Sequence, residues 1–212
     1  SRRSAGGTIE ACRAALEDGA AVNLAGGTHH AFRDRGEGYC VFNDAAIAAR
    51  TVQAEGLAQR VVIVDCDVHQ GNGTAAIFNG DDTVFTFSIH QANNYPYPKP
   101  PSNVDIELAD GTGDEDYLAR LESHLVRALE EFHPDLLFYL AGADPYREDQ
   151  LGGLKLTLEG LLRRDRLVLA SARDRRIPVC VTLAGGYAFD VEDTVTIHAN
   201  TVRAAKDLFA PA

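Results

Sequence analysis

The chain has 212 residues, 45% of them hydrophobic and 24% charged, with a formal net charge of −11, the profile of a single globular domain over residues 1–212. No basic stripe could neutralise a phosphate backbone, which argues against nucleic acid as a partner, and no apolar run nears the roughly 20 residues needed to span a membrane. Cys12, Cys40, Cys66 and Cys180 are scattered without a Cys-x-x-Cys pair; they read as reduced thiols, which favours the cytoplasm.

In chain order, the first strand is expected at residues 21–25 and a helix at 43–55. Strands follow at 60–64 and 84–88. Residues 91–105 carry Pro96, Pro98, Pro100 and Pro101 with Tyr95 and Tyr97 between them. That density of proline excludes helix and central strand and marks a surface loop. The clearest helix is 114–132, where Leu118, Leu121, Leu125, Leu129 and Phe132 recur at steps of three and four. Asp114, Glu115 and Asp116 crowd its first turn, where negative charge suits the helix dipole. A strand at 136–141, a helix at 157–172, a strand at 179–184 and a helix at 191–208 complete the series. The strands are mostly continuously apolar and alternate with helices. The fold class is therefore α/β: a doubly wound, mainly parallel sheet with helices on both faces.

Each polar cluster falls just after a strand. Gly26-Gly27-Thr28-His29-His30 follows the first, Asp65-Cys66-Asp67-Val68-His69-Gln70-Gly71-Asn72-Gly73 the second, and Ser88-Ile89-His90 ends the third. Gly142-Ala143-Asp144 follows the fourth and Gly185-Gly186-Tyr187 the fifth. In an open α/β sheet those carboxyl ends face one crevice, where ligands bind. Asp67 and His69 are two apart and on an extended segment would project to the same side. Asp144 can join them from another strand. Two carboxylates and one imidazole leave a coordination position open on Zn²⁺, and such a set also accepts Fe²⁺ or Mn²⁺. The competing reading has Asp67 and His69 capping the next helix or pairing with each other. A buried His29-His30 pair beside a metal would supply a general base and an electrostatic partner. Tyr187 could donate a hydrogen bond to a carbonyl oxygen as charge develops there, though a tyrosine after a strand is more often a packed aromatic.

Gly-Gly-Thr-His-His-Ala, Asp-Cys-Asp-Val-His-Gln-Gly-Asn-Gly, Gly-Ala-Asp and Ala-Gly-Gly-Tyr, in that order, resemble the motifs of the histone deacetylase family. That family shares its fold with arginase and includes bacterial acetylpolyamine amidohydrolases and acetoin-utilisation proteins. His-Gln-Gly-Asn is closer to the class IV-like and bacterial members. The resemblance implies a zinc-dependent amidohydrolase acting on acylated amines, with Asp67, His69 and Asp144 as zinc ligands. It implies His30 as general base, His29 as its partner oriented by Asp65, and Tyr187 polarising the scissile carbonyl. Asp65, Asp67, His69, Ser88 and Ile89 would surround a structural monovalent cation such as K⁺. Gly38 and Tyr39 would line the acyl-lysine tunnel, with Tyr95 on the opposite wall and Gly185 and Gly186 beside the substrate.

Two departures from the family pattern carry consequences. Many members place an aspartate behind the second histidine, where this chain has Asn72; an amide stabilises imidazolium less than a carboxylate does, so His30 is expected to be less basic. Family catalytic domains are also longer, with a first strand and rim loops ahead of the position where this chain starts. With no methionine in the sequence, an amino-terminal truncation is expected. Two other functions fit the fold: an arginase-like di-manganese ureohydrolase, which needs a further aspartate near Asp144 that Gly142-Ala143-Asp144-Pro145 does not offer, and an inactive domain that only binds acyl-amines.

Overall fold

Strand β1 (Ala20–Asn23), β2 (Val61–Asp65), β3 (Val84–Gln91), β4 (Val104–Leu108), β5 (Leu136–Ala141) and β6 (Val179–Leu183) form one sheet in the order β1-β6-β5-β2-β3-β4 in the computed structural model, which describes residues 1–210. Every neighbouring pair is parallel. Parallel strands need crossovers, and helices α2 (Asp44–Ala54), α3 (Asn72–Phe78), α4 (Asp114–Phe132) and α5 (Leu158–Asp174) lie in them, while α1 (Arg2–Asp18) precedes β1 and α6 (Val191–Phe209) follows β6. No helix among the described residues is long and apolar enough to cross a membrane.

Alternation along β5 shows how the layers form. Leu137, Tyr139 and Ala141 enter a core with residues of α4, α5 and α6, whereas Leu136, Phe138 and Leu140 enter a second core with residues of α1 and α2. Both faces are therefore dry, and a continuously apolar strand is what that situation selects. Capping side chains fix several helix starts: Asn43 accepts from the Ala46 N–H, Thr157 from that of Gly160 and Asp190 from that of Glu192.

All five expected strands and four expected helices are present, with small shifts of their ends; β1 stops at Asn23, and β3 runs on to Gln91. Three elements were not expected. Helix α1 contains Gly6 and Gly7, poor helix formers, and buries small residues, Ala5, Thr8, Ala11, Cys12 and Ala15. Packing of that small-residue stripe on α2 and the sheet outweighs the propensity cost of about 1 kcal/mol per glycine. Helix α3 is only seven residues long. Strand β4 begins at the end of the proline-rich stretch and lies on the sheet edge, where only one ladder has to be satisfied.

The order of the strands places the ligand site. From β2 the chain moves through β3 to β4 towards one edge, and from β5 to β6 towards the other. The winding therefore reverses between the adjacent strands β2 and β5, and a crevice opens beyond their carboxyl ends.

Candidate metal centre and the histidine pair beside it

Asp67 and His69 follow β2, and Asp144 follows β5, on the two sides of that reversal. One ligand atom from each lies within 4.8 Å of the others. The segment after Asp65 is not extended, which corrects the reason given for the convergence of Asp67 and His69. It turns sharply, and the His69 N–H donates to Asp67 Oδ1 at 2.9 Å. The turn itself brings His69 Nδ1 to 3.0 Å from Asp67 Oδ1 and 3.4 Å from Asp144 Oδ2.

Backbone donors hold the carboxylates. Gly185 N–H donates to Asp67 Oδ2 at 2.8 Å and Val68 N–H to Asp144 Oδ1 at 2.9 Å, which leaves Asp144 Oδ2 facing the cluster. A side chain on Gly185 would overlap Asp144 Oδ2 and approach Asp67 Oδ2 to 2.7 Å, so this position must stay bare. Beneath the cluster the fully buried Arg164 of α5 donates to the carbonyls of Cys66, at 3.3 Å, and Gly142, at 2.6 Å, and pairs with Asp165 at 2.8 Å. It braces the backbone one residue before Asp67 and two residues before Asp144.

Burial and mutual contact set the charges of the three side chains. Burial, together with the neighbouring Asp67 charge, pushes the Asp144 carboxyl up to about 7. Burial acts the same way on Asp67, but His29 and His69 outweigh it and hold that carboxyl below its usual range. Burial works against charge on His69, yet its bonds to Asp144 and Asp67 raise it to about 10. Two buried carboxylates and an imidazole nitrogen around one point are a donor set that a divalent ion fits.

The histidine pair faces this cluster. His29 Nδ1 lies 2.6 Å from Asp65 Oδ2, and His30 Nδ1 lies 2.7 Å from Asn72 Oδ1. The two Nε2 atoms are 3.1 Å apart. For His29, burial opposes the charged form, but Asp65 and Asp67 outweigh it and raise the imidazole to about 9. Burial lowers His30, and the charge on His29 lowers it further, to about 3. Adjacent histidines thus have opposite protonation preferences, the condition under which one can accept a proton and the other supply one.

Local sequence explains the pair's position. Asp44 accepts from the N–H groups of Thr28, at 2.8 Å, and Gly27, at 3.3 Å, and from Thr28 Oγ1 at 2.7 Å. Gly27 has φ +67° and lies so close to the backbone after β6 that a Cβ would come 2.6 Å from that of Ala184. The Gly-Gly pair permits that approach and turns the chain so that His29 and His30 point inward.

A cavity of about 560 Å³ opens over the cluster, lined among others by His29, His30, Asp67, His69 and Asp144. Gly38, Tyr39, Tyr95, Gly185 and Tyr187 from the expected set also line it. Tyr39 has a left-handed φ of 63° and is 92% exposed. The Tyr95 ring stands edge-on to His30 with 4.9 Å between centroids. Tyr187 is 51% exposed, and its N–H donates to Asp149 Oδ2 at 2.6 Å. Gly186 is not in the lining: a Cβ there would meet Ala143 and Thr194. Asp65 and Asn72 stand behind the histidines. Ser88 lies opposite Asp65 in the β2–β3 register, next to Ile89, and its hydroxyl lies 2.9 Å from His90 Nδ1. The sequence reading passed over Asp44, Glu37, Asn94 and Leu151. Of these only Asp44, beside the capping Asn43 at a helix start, carries a local signal.

A family model described as the histone deacetylase domain matches residues 1–202. The chain belongs to the histone deacetylase family. An uncharacterized protein of Picosynechococcus sp. is 50% identical over 96% of this chain and 68% of its own length. Histone deacetylase 2 of Arabidopsis thaliana is 35% identical, over 88% of this chain and 49% of the relative. A probable deacetylase of Archaeoglobus fulgidus is 33% identical, over 88% and 56%. Among solved structures, acetylpolyamine aminohydrolase from Burkholderia pseudomallei superposes with a TM-score of 0.83 at 29% identity, over 97% of this chain and 62% of that one. The chain therefore spans between about half and two thirds of the length of these histone deacetylase relatives.

Proposed function

We propose that this chain forms the catalytic part of a metal-dependent deacetylase that hydrolyses linear acyl-amine bonds in the cytoplasm. One observation carries the reading: Asp67, His69 and Asp144 and the His29-His30 pair line the same cavity, the two imidazoles 3.1 Å apart and backed by Asp65 and Asn72. The family and the acetylpolyamine aminohydrolase neighbour support it. Four free cysteines, three of them buried, support a reducing compartment.

Zinc, or Fe²⁺ in the same donor set, would supply Lewis acidity and a water acidic enough to attack an amide near neutral pH. His30 Nε2 takes the proton of the attacking water. His29, held as imidazolium by Asp65, balances the charge and shares in returning a proton to the departing amine. Tyr187 donates to the carbonyl oxygen as it gains charge. Behind them, Asp65, Asp67, His69, Ser88 and Ile89 are the residues that would hold a monovalent cation such as K⁺. The substrates this site fits are acetylated lysine side chains, acetylated polyamines and small acylated amines. All present the same linear end, which Gly38, Tyr39 and Tyr95 would flank.

The test is release of free amine from a fluorogenic acetyl-lysine amide by the zinc-loaded chain, with Tyr187→Phe and Asp144→Ala beside it. Turnover is expected to vanish on chelation and in Asp144→Ala, and to fall about 10²–10³-fold in Tyr187→Phe, as for other oxyanion donors. Urea release with two manganese ions bound, or zinc and substrate binding without turnover, would replace this reading.

A further inference from the structure

A chain of hydrogen bonds leaves the site behind His30. Asn72 presents Oδ1 to His30 Nδ1 at 2.7 Å, and its Nδ2 donates to Glu37 Oε1 at 2.9 Å. The Tyr95 hydroxyl donates to the same Glu37 oxygen at 2.8 Å. Glu37 directly precedes Gly38 and Tyr39 on one wall of the cavity, and Tyr95 stands on the other. Its second oxygen meets Arg35 Nε at 3.3 Å on the surface.

Donor and acceptor accounting gives this chain a direction. A carboxylate only accepts, so whatever faces Glu37 Oε1 must donate. The Tyr95 hydrogen bond, joined by that from Asn72, holds the Glu37 carboxyl below its usual range despite some desolvation, so at neutral pH it is the acceptor-only form. The Asn72 amide then has one permitted orientation, NH₂ towards Glu37 and oxygen towards His30. Facing a carbonyl oxygen, His30 Nδ1 must carry the hydrogen, and the lone pair is left on Nε2, the atom 3.1 Å from His29 Nε2. With the amide reversed, two acceptors would face each other at 2.9 Å and His30 would hold its hydrogen on Nε2, where it could take no proton. An asparagine cannot make this choice alone, because its two ends are nearly equal in shape. An aspartate in its place would need no such support.

We propose that Glu37 is a positioning residue: through the Asn72 amide it holds His30 in the tautomer whose Nε2 is free, and through Tyr95 it ties that setting to the cavity wall. The catalytic consequence rests on the reading of His30 as the base; the tautomer itself does not.

The test is a nitrogen–proton correlation spectrum of the zinc-loaded chain with isotope-labelled histidine, which reports the tautomer of His30 without any turnover. His30 is expected to carry its hydrogen on Nδ1 in the wild type and in Glu37→Gln, whose side-chain oxygen can still accept from Asn72 and Tyr95. In Glu37→Ala the second tautomer is expected to appear. In Glu37→Lys, which offers a donor instead, the second tautomer is expected to dominate. Kinetics on the same samples are expected to show kcat reduced about tenfold or more in Glu37→Ala with KM within about twofold, less than the 10²–10⁴ lost when a general base is removed altogether. Glu37→Gln restores kcat, and Arg35→Ala, which touches only the other oxygen, leaves both readouts unchanged. An unaltered Nδ1–H tautomer in both Glu37→Ala and Glu37→Lys overturns the proposal. A wild-type chain that turns over no amide defeats the deacetylase reading alone, and the tautomer comparison still decides the role of Glu37.

Discussion

Replacing Asn72 with aspartate puts a charge where the structure has a neutral oxygen, 2.7 Å from His30 Nδ1 and buried with it. An opposite charge at that range raises a histidine by about 1–3 units, equivalent to about 1.4–4 kcal/mol. From about 3, this moves His30 upward. The sign follows from the role: the base works when neutral, so a higher pKa means that it is protonated, and idle, up to a higher pH. The acid limb of kcat/KM, which reports essential groups of the free enzyme, is therefore expected to move upward in Asn72→Asp. Glu37 complicates the variant, because its carboxylate now faces another carboxylate instead of the Asn72 NH₂. The double variant Asn72→Asp, Glu37→Gln removes that repulsion and is expected to show the larger displacement. The assay is amine release across pH with zinc held saturating, and an acid limb unmoved in both variants, with native circular dichroism, refutes the assignment of His30 as base.

Three further outcomes follow from the same geometry. Gly185→Ala places a methyl group against Asp144 Oδ2 and Asp67 Oδ2 and is expected to abolish stoichiometric zinc binding in calorimetry while the fold persists. Arg164→Met strands the buried Asp165 carboxylate and two carbonyls and is expected to cost about 3–5 kcal/mol in urea unfolding, the usual loss when one partner of a buried pair is removed. Adding zinc at 100 times its dissociation constant is expected to stabilise the wild type by about 2.7 kcal/mol, with no gain in Asp144→Ala; an equal gain in both would place the ion elsewhere.

Much of this arrangement was legible in the residues, for specific reasons. Strands buried on both faces leave long apolar runs such as Leu136–Ala141, and the polar clusters with Asp67 and Asp144 begin at or just past the ends of β2 and β5, whereas Ser88-Ile89-His90 lies within β3. Asp67, His69 and Asp144 could be grouped because each follows a strand, although the bend that joins Asp67 to His69 left no trace in their spacing. Helix α1 was hidden because its buried stripe is alanine, threonine and cysteine, residues that carry little hydrophobic contrast. Strand β4 was hidden by the prolines before it. Glu37 was the least visible residue of the site. It lies between two glycines in a polar loop, and nothing in that context indicates that Asn72 and Tyr95, 35 and 58 positions away, would converge on one of its oxygens.

The position of the three candidate donors directly after β2 and β5, the two strands at the reversal of the winding, also bears on how the site comes apart. Val68 and Asp144 are joined by a bond across 76 positions of sequence, beside a ladder in the middle of the sheet. Sites carried on surface loops open through local fluctuations far smaller than global unfolding. Here the bends that carry the three candidate donors leave directly from the central ladder and are tied to each other by the Val68–Asp144 bond, so loss of a bound ion to a chelator is expected to be slower than the opening of the surface loops. A bound metal would then act as a gauge of how firmly the middle of the sheet is held, read from the carboxyl ends of its strands.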